Sequence, residues 1–101
     1  MDVEFSDHWL ESLYFNEATP HPRMSKELVR SYRKVVGLLF GVANDQELRA
    51  FKAQRLEQLK GHRRGQWSLR LHGGSRLIVR FRTDRQGRVV TVIEIIDHDS
   101  Y

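Results

Sequence analysis

With 101 residues and a net charge of +4, the chain is one domain spanning 1–101, and a domain this small buries roughly two thirds of the surface its unfolded chain exposes, so it holds one modest core. It has no cysteine, which excludes disulfides, thiolate nucleophiles and cysteine-ligated zinc, fits a reducing compartment and makes the cytoplasm the expected location. The opening MDVEFSDHW is acidic where a secretory leader would be basic, and no apolar run approaches the ~20 residues of a membrane span, so no membrane partner is expected.

Asp2 to Phe5 reads as a short strand. Ser6 followed by Asp7 predicts an N-cap and a first-turn acid for a helix from about Asp7 to Phe15, with Trp9, Leu10 and Leu13 on its buried side. Pro20 and Pro22 make the next segment a loop. Ser25 is placed to cap a second helix reaching about Val42, in which Leu28, Val29, Tyr32, Val35, Val36, Leu39 and Phe40 recur at helical spacing. Lys26, Arg30, Arg33 and Lys34 take the opposite side. Asn44 with Glu47 three residues on resembles a capping box for a short third helix carrying Leu48 and Phe51.

From Gly65 the apolar pattern changes from helical to alternating, predicting strands near 66–72, 75–82 and 89–97. Helices followed by strands make the fold class α+β. In the first hairpin the alternation pairs Leu71 with Leu77, Leu69 with Val79 and Trp67 with Phe81 around a three-residue loop, Gly73 to Ser75. His72 then faces Arg76, and Ser68 faces Arg80. Asp84 to Gly87 is the next turn. The final strand, VVTVIEIID, is apolar at nearly every position, as a strand covered on both sides would be.

Charge is segregated along the chain. Between Arg55 and Arg88 ten Lys or Arg residues stand against two acids, Glu57 and Asp84, a surplus of eight in a chain whose net charge is +4. Such a block suits a polyanion or an acidic protein partner. Because Arg70, Arg80 and Arg82 alternate with core positions, the hairpin is expected to present one basic face. Arginines across from one another without an acid are unfavourable unless a partner covers them. His8, His21, His62 and His72 have no paired metal-ligand spacing, so no metal and no cofactor is expected.

The run LEQLKGHRRGQWSLRLHGGSRLIVRF, followed by an apolar strand ending in Asp97, resembles the host-inhibition-of-growth (HigB-like) toxins of bacterial toxin-antitoxin modules, in the RelE/ParE superfamily. The matching residues are Leu59-Lys60-Gly61-His62-Arg63, Gly65, Trp67, Arg76-Leu77 and Asp97 of Asp97-His98-Asp99; MDVEF and the helix SYRKVV are similar too. The resemblance implies a RelE/ParE-like fold, an N-terminal strand with helices packed on one face of a small sheet completed by three C-terminal antiparallel strands. It implies a type II toxin that cleaves mRNA on the ribosome without metal, and a helix-turn-helix antitoxin that silences it in a hetero-oligomer.

Metal-free RNA cleavage needs a base for the 2′-OH, cations around the phosphorane and an acid for the leaving oxygen. The resemblance assigns Lys60 and Arg76 to the phosphate, and Asp97, His98 and Glu57 to proton transfer. Glu57 stands where many members have histidine, and Asp97-His98-Asp99 stands where they end D-Y-H. His98, or Tyr101 folding back, takes the place of the family's terminal groups, and a turn is expected at Asp97 to bring His98 to the site. Arg63, Arg64, Arg70, Arg80 and Arg82 are the RNA-binding candidates. Lys60, Arg63, Arg70, Arg76 and Arg80 are expected to point outward as one continuous positive surface. Two other functions suit the same residues: a ParE-like inhibitor of DNA gyrase, and a non-catalytic toxin that only holds its antitoxin or RNA.

Overall fold

The computed structural model describes residues 1–97. Its elements are β1 (Asp2–Phe5), α1 (His8–Phe15), α2 (Lys26–Gly41), α3 (Asp45–Arg49), β2 (Glu57–Gln58), β3 (Trp67–Arg70), β4 (Arg76–Asp84) and β5 (Gly87–Ile96). The class is α+β. The strands form one sheet in the order β1-β5-β4-β3-β2, with β1 parallel to β5 and the other pairs antiparallel. The three expected C-terminal strands and the N-terminal strand are all present, and β2 is an additional edge strand. Its two residues are too few to leave an alternating pattern in the sequence.

Caps set the helix starts. The Asp7 carboxylate accepts from the Leu10 N–H at 2.8 Å and is the N-cap of α1, while the Ser6 hydroxyl expected there donates instead to the Ile93 carbonyl. Ser25 caps α2 as expected, accepting from Leu28. Asn44 caps α3, but the returning bond of the expected box is shifted by one residue: Glu47 accepts from Ala43. Phe51 lies beyond α3 and is exposed.

α1 and α2 pack on one face of the sheet. Leu10, Leu13, Val29, Tyr32, Val35, Val36 and Leu39 meet Leu69, Leu77, Val79, Val90 and Val92 there, with Leu48 of α3 completing the cluster. The fully buried Tyr32 hydroxyl donates to the Leu10 carbonyl at 2.6 Å, tying α2 to α1. Trp9 and Phe40 differ from expectation. Trp9 is 41% and Phe40 39% exposed, and the Trp9 indole N–H donates to the Pro20 carbonyl. Arg33 also departs from its solvated stripe, turning inward so that Nε donates to the Leu13 carbonyl.

The β3–β4 register differs from expectation by two residues: Trp67 pairs with Val79, Ser68 with Ile78, Leu69 with Leu77 and Arg70 with Arg76. The three-residue connection is correspondingly moved back by one, to a 3-10 turn at His72–Gly74 closed by the Leu71 N–H donating to the Ser75 carbonyl, in which Gly73 and Gly74 hold φ of 70° and 83°. Two successive left-handed glycines let the chain reverse through this turn. A slip of two leaves every side chain on its own face, so Trp67 and Phe81 still pack together, ring centroids 6.0 Å apart, at the border of the core. Between β4 and β5 a bulge pairs Ile78 with Glu94 and Val79 with Val92. The extra residue, Ile93, places Val92 in the core and Glu94 on the opposite face although they are two apart.

Candidate active site

The register gathers Glu57, Ser68, Arg70, Arg76, Ile78, Arg80, Arg82, Glu94 and Glu4 on the sheet face away from the helices. Its centre is closed. Ser68 and Ile78 are 0% exposed and Arg76 is 6% exposed. The expectation that Arg76 points outward is therefore corrected: its position beside Arg70 and Ile96 lies beneath the chain leading into β2, a cover that alternation within β4 cannot reveal.

Arg76 is held by oxygen atoms from two directions. Nε and Nη2 donate to the Ser68 hydroxyl at 3.2 and 2.8 Å, and Nη2 donates to the Arg55 carbonyl at 2.7 Å. The half-exposed Glu57 carboxylate stands 3.8 Å from Nη2, placed by its pairing with Ser68 across β2 and β3. Nη1 has no hydrogen bond among the described residues. The result is a fixed guanidinium with one nitrogen unengaged and a carboxylate beside it, an arrangement able to stabilise a developing anion and accept a proton.

The other arginines divide into engaged and unengaged. Arg63 donates to Gln66 at 2.9 Å and to Glu94 at 2.8 Å, bridging above β4. Arg82 makes a two-pronged pair with Glu4 at 2.7 and 2.6 Å; that hydrogen bond holds the Glu4 carboxyl below its ordinary range and raises Arg82. Arg88 pairs with Asp45 at 3.0 Å. Arg55, Lys60, Arg64, Arg70, Arg80 and Arg85 are exposed and make no ion pair among the described residues. The expected single surface is thus narrower: Arg63 is engaged with Glu94 and Gln66, and Arg70 and Arg80 flank the buried Arg76 on β3 and β4. Arg80 lies against the backbone of Gly65, where an added Cβ would come 3.0 Å from Nη1.

Lys60 shares a cleft with Gln58, Leu59, Gly61 and Arg64, none of which is among the groups that hold Arg76. Asp97 accepts from the Ser75 hydroxyl at 3.3 Å and lines a cleft with Trp9, Arg23, Met24 and Glu94, a cleft that Glu57 and Arg76 do not line. His98 and Tyr101 lie outside the described residues. Among the described residues no three His, Asp or Glu side chains gather as a metal-ligand set. Ser68 and Glu94 are the participants sequence reasoning missed. The signal for Ser68, a small hydroxyl between arginines on a basic strand face, becomes readable only with the correct register.

The family model described as RelE-like toxin of type II toxin-antitoxin system HigB matches residues 3–94. Among solved structures the chain is similar to a YoeB/ParE toxin from Agrobacterium tumefaciens, at 18% identity over 97% of this chain and 99% of that one, with a TM-score of 0.58. It is also similar to the toxin-antitoxin complex RelBE2 from Mycobacterium tuberculosis, at 21% identity over 95% of each chain, with a TM-score of 0.50. No curated protein is similar enough to count as a match. The two structural likenesses concern the fold; the family match covers nearly all of the sequence, and by it the chain belongs to the HigB-like, RelE-like toxins of type II toxin-antitoxin systems.

Proposed function

We propose that this toxin is a metal-independent endoribonuclease that cuts mRNA on the ribosome and is silenced by a co-encoded helix-turn-helix antitoxin. The observation that carries the reading is the pairing of Glu57 with a buried, immobilised Arg76 on a face whose flanking arginines, Arg70 and Arg80, have no acid partner among the described residues. A solved toxin-antitoxin complex among its fold relatives supports the antitoxin partner.

In this reading Arg70 and Arg80 hold RNA phosphates, with Lys60 and Arg64 extending the track along the loop before β3. Arg76 presents Nη1 to the scissile phosphate and stabilises the charge that grows on it as the 2′-oxygen attacks. Glu57, which stands where many family members have histidine, takes the 2′-OH proton. His98 is the candidate acid for the leaving 5′-oxygen, since imidazole with an unperturbed pKa of about 6.5 delivers a proton near neutrality. Asp97, held by Ser75, acts at most through the chain that follows it.

Expression of the toxin without antitoxin in bacteria, followed by mapping of mRNA 5′ ends, tests the proposal. Cuts in register with codons on translated messages are the expected result. An SOS response without such cuts would identify a gyrase poison, and normal growth would identify a non-catalytic binder; either overturns the nuclease.

A further inference from the structure

We infer that Ser68 and the backbone of Arg55 form a socket that aims Arg76, making Ser68 a positioning residue of the site; the inference rests on the nuclease reading. A guanidinium on a long, freely rotating side chain is a poor preorganised cation, and here two fixed oxygens remove that freedom. The Ser68 hydroxyl receives both Nε and Nη2 of Arg76, from a residue that is itself 0% exposed. The Arg55 carbonyl receives Nη2 at 2.7 Å.

Arg55 is, among the described residues, the one non-glycine with positive φ, at 48°, where it closes the 3-10 turn Lys52–Gln54. Left-handed backbone is disfavoured for a residue with a Cβ and is found where the surrounding structure over-determines it. Here its carbonyl is one wall of the socket. The Arg55 side chain is exposed, so the socket uses its backbone. Ser68 also faces Glu57 across β2 and β3, so a single residue sets the position of the cation and stands beside the carboxylate. Neither Ser68 nor Arg55 touches the proposed substrate in this arrangement.

The test combines kinetics with the Arg76 side-chain signal. In the wild-type chain the Arg76 Nε–H should give a distinct, slowly exchanging 15N resonance, unlike that of exposed Arg70; fast exchange there would overturn the socket without recourse to any variant. In S68A that resonance should collapse toward solvent behaviour, and cleavage of ribosome-bound mRNA should fall about 10²-fold, the cost of misplacing a reacting group by about 1 Å. The loss should lie in kcat, with KM unchanged because the phosphate-holding arginines are untouched. R55G, which retains the carbonyl and relieves the left-handed strain, should keep the Arg76 resonance. Wild-type cleavage with an undiminished S68A rate overturns the socket alone, whereas no cleavage by the wild type overturns the nuclease reading from which it follows.

Discussion

Arg76 shows how a charged residue in a basic block becomes part of the interior. Burying a cation is costly unless its hydrogen-bonding capacity is met, and here Ser68, Arg55 and Glu57 meet most of it. Removing the guanidinium leaves the buried Ser68 hydroxyl without its donor. Arg76→Ala is therefore expected to lower the stability of the toxin by about 1.5–3 kcal/mol, the range for a hydrogen bond to a charged group, measured as a shift in the urea midpoint with unchanged m-value. A neutral effect would show that the socket is not formed in solution. Which residues of the site were readable from sequence follows from what places them. Glu57 and Arg76 lie in recognisable family positions, whereas Ser68 depends on cross-strand register. Asp97 was grouped with them by its family position at the end of the last strand, where its carboxylate accepts from the Ser75 hydroxyl.

Elements were legible wherever one residue type decides the local geometry. Ser25, Asn44, the alternation in β4 and the apolar run of β5 each mark their element, because capping, pleating and burial act over a few residues. The hairpin register was not, since a two-residue slip preserves every facing and only the turn at Gly73 and Gly74 selects among the alternatives. Ser6 and Asp7 compete for one cap, and the carboxylate takes it while the hydroxyl finds the Ile93 carbonyl. Between elements, α3 is fastened to β5 by Asp45 and Arg88. Burial raises the Asp45 pKa, but the Arg88 hydrogen bond, a backbone hydrogen bond and the charges of Arg88 and Arg49 together outweigh it, and the net shift is downward from 3.8. A carboxyl lowered in the folded state contributes stability that is present above its unfolded value and lost as pH falls through the folded one. Acid titration of the wild-type stability should thus show a loss below pH 3.8 that Asp45→Asn lacks; identical acid limbs would mean that the pair contributes nothing.

At the scale of the molecule the sheet separates two tasks. One face binds the helices and forms the core, and the other carries a buried arginine flanked by exposed ones, with Glu4 and Glu94 neutralising the cations nearest them. Affinity for ribosomes or single-stranded RNA should fall steeply with salt, and Arg70→Gln and Arg80→Gln should each reduce the slope of log K against log salt by about 0.7, as read by fluorescence titration. Arg82→Gln, whose guanidinium is already paired with Glu4, should leave the slope unchanged. Glu57 is the group on which the chemistry turns, and because it is half-exposed it can be changed with the fold intact. The decisive measurement is the single-turnover rate at which the Glu57→Gln chain cuts a ribosome-bound mRNA, compared with wild type at matched circular dichroism. A fall of about 10²–10⁴-fold, the usual contribution of a positioned general base, is the expected result; an unchanged rate would contradict the assignment of Glu57 and Arg76 as the site of cleavage.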